Sequence, residues 1–379
     1  MQRETVTVGD DSSLIRGFTN RHIQCAVDHV SAMGGGTVAL SAGVFDMADA
    51  LHLRTGVTVR GQGDATVLRK RAMKTARIVT FHGFGHNDLE VDTPDVFALG
   101  DGIIVSDDNS FGFYQTAGTL VARDGAVWYL DRPYAHDYLG RSNGVAKTLY
   151  PLVSAVGVDD AAIEAVLLDG NTTVNATLNG CRGGAFFAHN SNRIRAAHVR
   201  ILEFNGEGFS FQTCDDMELS HCIAERCHGN GFHPGSGSRR FRIHDCISRN
   251  NTACGLFYCL HVRDSVLEDC VFEDNGGQGV YIGNRDCRHV NRRLTIRRNG
   301  GAGIAFSETD VHESPHGNLV EDCVLEDNCR AKGSAELVLA GAADGVRLVR
   351  NRIRPRAGVA AIHNPGTMTN LVIDRTPLE

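Results

Sequence analysis

The sequence is poor in several residue types that mark whole classes of protein. It contains one tryptophan and eight prolines in 379 residues, and no apolar run approaches the roughly 18 residues that a membrane-spanning helix needs. Its first residues, MQRETVTVGDDSS, lack the apolar stretch of a secretory signal peptide. A formal net charge of −7 disfavours nonspecific binding to nucleic acid. We therefore expect a cytoplasmic protein with no membrane or nucleic-acid partner, secreted only if this sequence is part of a longer precursor.

Cysteine pairs with the spacing of a zinc site are also missing, because no CxxC occurs among the twelve cysteines. Several cysteines recur at a fixed interval instead of in bridging pairs, which favours free thiols and a reducing compartment. No glycine-rich phosphate loop opens a helix. The sequence thus predicts no bound metal and no cofactor.

What the sequence does contain is an internal repeat of 23 or 24 residues. Six glycines mark it, at intervals of 24, 23, 24, 24 and 24: Gly184, Gly208, Gly231, Gly255, Gly279 and Gly303. Each glycine is followed by a short apolar run, a polar turn and a second run in which apolar residues alternate with period two. Such alternation indicates strands and not helices, and a fixed period of this length indicates stacked coils. The repeat predicts an all-β protein, a single-stranded right-handed parallel β-helix.

Two other residue types recur with the same period. Their members are Cys222, Cys246 and Cys270, and Asn251, Asn275 and Asn299, each set 24 residues apart. Equivalent positions in a solenoid stack about 4.8 Å apart. We expect the cysteines to stack as small core side chains and the asparagine amides to bond between coils.

The chain divides into three segments. Residues 19–33 predict an amphipathic helix that covers the open end of the solenoid. Residues 1–92 then contain this helix and the first coils, and residues 93–155 break the period and predict a small β insertion. Residues 156–379 form the regular coils of the same continuous solenoid.

On these features the chain resembles the pectin-lyase-like superfamily of PbH1-repeat proteins. The resemblance is carried by GGGTVALSAGVF after the helix, by VRGQGDATVLRK and by EDCVFEDNGGQGVYIG, and it covers most of residues 15–376 except the insertion. It implies a poly- or oligosaccharide as the partner, bound in a groove along the coils, and it allows a homo-oligomer. The superfamily contains hydrolases, lyases, epimerases, transferases and phage tailspikes, so the resemblance implies no single activity.

Alignment on the repeat glycines places one column of side chains on the outside of the solenoid. The second residue after each glycine should point outward, which selects Phe186, Ser210, His233, Phe257, Tyr281 and Ala305. In the turns that follow, Asp286 and Glu308 lie on adjacent coils, so their carboxyl groups are expected roughly 5–9 Å apart, a range that covers both glycosidase geometries. One carboxyl would protonate the leaving oxygen, and the other would activate water or attack carbon.

His233, His261 and Arg285 complete the expected catalytic group, and Tyr281 is expected to stack on a sugar ring. The remaining candidate substrate contacts are polar residues of the turns and of the insertion: Asn284, His189, Asp215, Asp216 and Arg141. The alternative for each of these residues is a solvated turn position that bonds only to its neighbours.

Three functions remain open from the sequence. The first is cleavage of a glycosidic bond by carboxylate acid/base catalysis, through hydrolysis or intramolecular transfer. The second is a uronate lyase or C5-epimerase that uses His, Tyr and Arg, and only there would a Ca²⁺ ion join the site. The third is a non-enzymatic glycan-binding or tailspike-like protein. The acidic chain and the pairing of Asp286 with Glu308 favour the first.

Overall fold

The computed structural model describes residues 4–110, 114–180 and 183–376. Most of these residues form short parallel strands that stack as the coils of one solenoid. The N-terminal part contains β1 (Glu4–Gly9), β2 (Ile15–Arg16), α1 (Asn20–Ala32), β3 (Gly36–Leu40), β4 (Gly43–Met47), β5 (Leu51–His52) and β6 (Val57–Lys70).

Helix α1 covers the N-terminal end of the solenoid, as predicted. Thr19 is its N-cap residue, and the side chain of Asn20, the first helical residue, accepts a hydrogen bond (3.2 Å) from the N–H of Ala48. The helix buries an apolar stripe against the first coils, because its apolar residues recur with helical spacing. The stripe consists of Ile23, Ala26, Val27 and Val30.

Antiparallel strands interrupt the solenoid after its first coils. They are β7 (Thr75–Arg77), β8 (Phe81–His82), β9 (Asp88–Glu90), β10 (Gly102–Ser106), β11 (Thr116–Asp124), β12 (Val127–Leu130), β13 (Tyr138–Leu139) and β14 (Val145–Lys147). Six of them form one sheet, and β8 pairs with β13. They enclose a core of their own around Trp128, Tyr134 and Tyr138. This insertion begins and ends earlier than the predicted residues 93–155, because alternating runs look the same in a coil and in an antiparallel sheet.

From residue 153 onward the strands belong to the coils. They are β15 (Val153–Val156), β16 (Ala162–Asp169), β17 (Gly184–His189), β18 (Arg195–Leu202), β19 (Glu207–Gln212), β20 (Glu218–Ser220), β21 (Ile223–Glu225), β22 (Phe232–Gly235), β23 (Arg242–His244), β24 (Ile247–Arg249), β25 (Leu256–Tyr258), β26 (Val266–Glu268), β27 (Val271–Glu273), β28 (Val280–Ile282), β29 (Val290–Arg292), β30 (Thr295–Arg297), β31 (Ile304–Phe306), β32 (Leu319–Glu321), β33 (Val324–Glu326), β34 (Ala335–Val338), β35 (Arg347–Val349), β36 (Arg352–Arg354), β37 (Ala360–His363) and β38 (Val372–Asp374). Each regular coil gives one strand to a ten-stranded parallel sheet and two to a twenty-stranded one.

The repeat glycines are explained by the close approach of neighbouring coils. A Cβ atom on Gly255 would lie 2.6 Å from the carbonyl oxygen of Gly279, and one on Gly279 would lie 2.7 Å from that of Gly303. These distances leave no room for a side chain at Gly255 and Gly279, immediately before β25 and β28. The glycine period is therefore a packing requirement between coils.

Both predicted side-chain columns are confirmed. The asparagine amides form a buried ladder, in which Nδ2 of Asn251 donates to Oδ1 of Asn275 (2.9 Å) and Nδ2 of Asn275 donates to Oδ1 of Asn299 (3.0 Å). In the cysteine column, the N–H of Cys222 lies 3.4 Å from Sγ of Cys246. Cys222, Cys246 and Cys270 of this column are free thiols. No helix within the described ranges is long and apolar enough to cross a membrane.

Candidate functional site

The ten-stranded sheet aligns one row of side chains on its outer face. Its strand order is β5-β15-β17-β19-β22-β25-β28-β31-β34-β37. We call the aligned residues the outer row: His52, Ser154, Phe187, Ser210, His233, Phe257, Tyr281, Ala305, Val338 and His363. The prediction for Phe186 is wrong, because Phe187 pairs with Ser210 while Phe186 pairs with Phe209 and is completely buried.

A pocket of about 370 Å³ lies over the N-terminal end of the outer row. Residues on and beside β5, β15 and β17 form its floor, and the insertion forms the opposite side. The lining is apolar in part, through Leu53, Ile103, Val121, Pro151 and Phe187. Its polar residues are Asp49, His52, Arg54, Thr119, Asp131, Arg132 and Ser154. The volume falls at the lower end of the range of small-molecule sites, about 300–1,000 Å³.

Asp49 is almost completely buried and organises one side of this pocket. Its Oδ2 accepts a hydrogen bond from Oγ1 of Thr119 (2.6 Å) and lies 3.2 Å from Nε2 of His52, while its Oδ1 accepts the N–H of Ala50 (2.7 Å). The main chain of His52 is fixed in turn by the side chain of Gln24 on α1 (2.9 and 3.0 Å). The imidazole therefore has a defined orientation, and Nδ1 is the nitrogen that is not bonded to Asp49.

Asp131 supplies the second carboxyl group of the pocket. Nε and Nη2 of Arg132 donate to its two oxygens (3.0 and 2.8 Å), and the N–H of Thr119 donates to Oδ1 (2.9 Å). Burial alone would raise the pKa of this carboxyl, but the bonds from Arg132 and Thr119 outweigh burial and hold the pKa below its usual range. An ionised carboxylate and an oriented imidazole thus share one pocket, and Thr119 bonds to both aspartates.

Two glycines allow close packing around these carboxyl groups, Gly118 within the insertion and Gly102 where the insertion meets the first coils. A Cβ atom on Gly118 would lie 2.9 Å from Oδ1 of Asp131, and one on Gly102 would overlap Oδ1 of Asp49. Any larger residue would displace the carboxyl groups or lift the insertion from the solenoid. The two glycines therefore set the geometry of the pocket.

A second pair of titratable groups lies farther along the outer row. Nδ1 of His233 is 3.8 Å from Oε1 of Glu207, and neither ring nitrogen has a hydrogen-bond partner within the described part of the chain. Burial lowers the pKa of His233 to about 4, and it raises the pKa of Glu207 to about 7 in spite of hydrogen bonds from Asn230. At neutral pH the imidazole is uncharged and a large share of the carboxyl groups is protonated.

Aromatic rings continue the outer row beyond this pair. Phe257 packs edge-on against His233 with ring centroids 5.5 Å apart, and it stacks on Tyr281 at 5.0 Å with an angle of 5° between the rings. Both aromatic side chains are partly exposed. Tyr281 therefore lies on the outer face as predicted, where its ring can pack against the C–H groups of a sugar.

The structure separates the predicted acid pair. Asp286 is completely buried in its turn, where Oδ1 accepts the N–H of Val262 (2.8 Å). Two coils earlier, the hydroxyl oxygen of Ser238 accepts the N–H of Cys214 in the same way (3.1 Å). Burial raises the pKa of Asp286 to about 7. Glu308 is exposed, so the two carboxyl groups do not face a common surface site. Asp286 thus occupies a turn position whose side chain bonds to the backbone of the preceding coil. The residue type alone does not reveal this role.

His261, Arg285 and Asn284 lie in adjoining turns and make local contacts. Nε of Arg285 lies 3.3 Å from Oε2 of Glu313, and the carbonyl group of Asn284 accepts the N–H of His261 (2.8 Å). Burial and the neighbouring arginines lower the pKa of His261. None of these three residues lines the pocket.

Of the remaining predicted contacts, His189 does not line the pocket, although its ring lies beside that of the lining residue Phe187 with centroids 6.4 Å apart. Arg141 is exposed in a short 3-10 turn of the insertion. Asp215 and Asp216 form ion pairs with arginines of the next coil (2.7 and 2.9 Å). These two carboxylates tie one coil to the next.

The sequence reasoning missed Asp49, His52, Asp131, Arg132 and Glu207. The first four lie in the first coils and in the insertion, where no repeat marks a side chain as facing outward. The one signal in the sequence was the interruption of the 24-residue period. Polar residues cluster there beside glycines that do not belong to the repeat. Glu207 was missed because it lies immediately before the repeat glycine Gly208, whereas the alignment selected only residues that follow a repeat glycine.

Comparisons with known proteins agree on the architecture. The model of a protein family described as "Periplasmic copper-binding protein (NosD)" matches residues 153–320. The A-module of mannuronan C-5 epimerase AlgE6 from Azotobacter vinelandii is 14% identical, with 94% of this chain and 95% of that chain covered and a TM-score of 0.55. The polygalacturonase from Erwinia carotovora ssp. carotovora is 12% identical, with 98% and 94% covered and a TM-score of 0.52. The chain therefore has the right-handed parallel β-helix fold.

ORF18 of Geobacillus virus E2 has the same fold, with 10% identity, 93% of this chain and 56% of that chain covered and a TM-score of 0.56. No curated protein matches the sequence at a significant level. Identities this low establish the fold and not the activity. The NosD description mentions copper, but within the described ranges no three His, Cys, Asp or Glu side chains converge as metal ligands.

Proposed function

We propose that the protein is a carbohydrate-active enzyme that hydrolyses a neutral glycan in the pocket beneath the insertion. The observation that carries the proposal is the convergence of Asp131, His52 and Asp49 on a partly apolar cavity over the outer row. Support for a carbohydrate ligand comes from the fold, which a mannuronan epimerase and a polygalacturonase share. The site differs from the one that the sequence suggested, but the reaction class is the same.

The proposed reaction divides the proton transfers between the two sides of the pocket. The glycosidic C–O bond breaks, its electron pair leaves with the oxygen, and that oxygen takes a proton from His52. The oxygen of a water molecule bonds to the sugar carbon, and the proton of that water goes to the carboxylate of Asp131. Asp131 suits this role because Arg132 and Thr119 keep it ionised. Asp49 acts through His52 as a positioning residue.

Elimination from a uronic acid is disfavoured by the charges of the pocket. That reaction needs a free cation to neutralise the carboxylate of the sugar. Arg132 is engaged by both oxygens of Asp131, and Nε of Arg54 pairs with Asp28 (2.8 Å). A neutral sugar needs no such cation, and the hydroxyl, carboxylate and imidazole groups of the lining suit its hydroxyl groups.

The test is mass spectrometry of the products after incubation with neutral and uronic-acid glycans in ¹⁸O-labelled water. We expect neutral glycans to yield products that carry the label. Asp131→Asn should lower this activity by about 10²-fold or more, which is the usual contribution of an acid/base group. Products without added water, with the ultraviolet absorbance of an unsaturated sugar, would contradict the proposal, and so would binding without turnover.

A matched control is Asp264→Asn. Asp264 is also held ionised by a two-bond pair, with Nε and Nη2 of Arg288 (2.6 and 2.8 Å), but it lies outside the pocket. The same substitution there should leave the activity unchanged. If both variants lose activity equally, the loss at Asp131 reflects damage to the fold and the assignment fails.

A further inference from the structure

The pocket is blocked at its N-terminal end along the solenoid axis. Strand β5 is the last strand of the ten-stranded sheet, so the outer row ends at His52. Helix α1 lies beyond that edge, because the side chain of Gln24 bonds to both the N–H and the C=O of His52. An extended ligand that follows the outer row cannot continue past this point.

The pocket is also blocked towards the C-terminal coils. The carbonyl group of Gly180 accepts a hydrogen bond from the hydroxyl group of Ser210 (3.0 Å), which is completely buried in the outer row. Just before it, the buried Leu178 donates its N–H to the carbonyl group of Asn205 (2.8 Å). Gly180 therefore covers the outer row at Ser210, between Phe187 and His233. It interrupts the continuous groove that the sequence suggested.

The insertion closes the third side and holds its position through hydrogen bonds to the floor. Oγ1 of Thr119 donates to Asp49 (2.6 Å), and Nζ of Lys74 pairs with Asp101 (2.8 Å) at the base of the insertion. Three strands floor the pocket, and two strand spacings amount to about 10 Å. A cavity of this length and of about 370 Å³ holds a short saccharide and not a long stretch of chain.

We propose that the pocket receives the end of a glycan chain, so that the enzyme acts on terminal residues or on short neutral oligosaccharides and not within a polysaccharide. This inference rests on the proposed function for its chemistry, but the binding mode can be tested separately. The blocked ends prevent an internal segment of a polysaccharide from binding, because the chain would have to leave the cavity on both sides of the bound sugar.

The experiment uses the linear neutral oligosaccharide that the wild-type protein hydrolyses fastest. Four forms are compared: unmodified, with a bulky fluorophore on the reducing end, on the non-reducing end, and on both. We expect a tag on one particular end to lower the initial rate at least about tenfold, and the doubly tagged form to resist hydrolysis equally. Hydrolysis of the doubly tagged form at the unmodified rate would overturn the inference and leave the proposed function intact.

If no glycan is hydrolysed, the proposed function has failed. A second measurement then tests the chain-end binding mode on its own. Saturation-transfer NMR with neutral trisaccharides reports which sugar protons contact the protein. Strong transfer to one terminal residue supports binding of a chain end. Transfer that is strongest to the central residue, or uniform along the trisaccharide, or absent for every trisaccharide, overturns it. The Ala117→Trp variant, which fills the lining, should abolish the transfer, while Val372→Trp on the last coil should not.

Discussion

Replacement of Asp286 by asparagine separates the structural role of this residue from the catalytic role that its sequence position suggested. Its side chain is completely buried, with one oxygen on the N–H of Val262 (2.8 Å). The other oxygen has no hydrogen-bond partner within the described part of the chain. An asparagine has the same shape and can accept the same bond, but it carries no charge. We therefore expect Asp286→Asn to fold, to keep its activity and to be more stable than the wild type at alkaline pH.

The magnitude follows from the shift of the pKa. Burial raises the pKa of Asp286 from 3.8 to about 7. Below pH 4 the carboxyl group is protonated in both folded and unfolded chains, so it causes no pH dependence there. As the pH rises towards 7, the unfolded chain releases this proton and the folded chain retains it. The wild type then loses about 1.4 kcal/mol of stability per pH unit, or about 4 kcal/mol in all, and the loss is complete above the folded pKa.

The assay is the free energy of unfolding of both proteins by chemical denaturation at intervals between pH 4 and pH 8. The difference between variant and wild type should grow across this range by about 4 kcal/mol. Asp264→Asn is the control, because Arg288 lowers the pKa of Asp264 and its contribution is constant above pH 5. A difference for Asp286→Asn that does not change with pH would refute the burial argument. Loss of activity in a folded Asp286→Asn variant would restore its catalytic assignment.

Three further outcomes follow from the packing. Asn275→Ala should lower the free energy of unfolding by about 2–3 kcal/mol, since it leaves buried ladder groups without partners; a loss below about 1 kcal/mol, measured by denaturation, would contradict this. Gly118→Ala should reduce activity more than stability, because its Cβ would lie 2.9 Å from Oδ1 of Asp131. Steady-state kinetics and thermal melting of the same variant test this, and a loss of stability without a loss of activity would contradict it. A thiol reagent should label the exposed Cys25 well before the buried Cys246, as followed by peptide mass spectrometry; equal rates would mean that the coils open readily.

Much of the fold could be predicted because one physical constraint repeats in every coil. Glycine is required wherever coils approach closely, and buried amides must find partners, so both residue types return with the period. The error at Phe186 shows the limit of this reasoning. Gly184 pairs with Glu207 and not with Gly208, so Ala185 takes the place of the glycine in that coil. Counting from Gly184 therefore shifted the predicted face by one residue.

The candidate site could not be predicted in the same way, because its residues come from segments that share no period. Asp49 and His52 precede the insertion, whereas Thr119 and Asp131 lie within it, and only the folded chain brings them to one cavity. In the coils, by contrast, the residue type suggested a surface role for a side chain that is buried. Asp286 has the chemistry of a catalytic acid, but its turn directs it into the solenoid, where its Oδ1 accepts a hydrogen bond from the N–H of Val262.

The regular coils largely satisfy their own polar groups. Asp264 is bonded to Arg288, one coil further along, and Glu268 is completely buried among three arginines that lower its pKa to about 2. A polar residue that returns with the period therefore has a partner that returns with it, and little of its chemistry is left for a ligand. Asp49 and Asp131 instead share Thr119 of the non-repeating insertion as a partner, and both carboxyl groups border an open cavity. In a solenoid of this kind, function is to be sought first where the period fails.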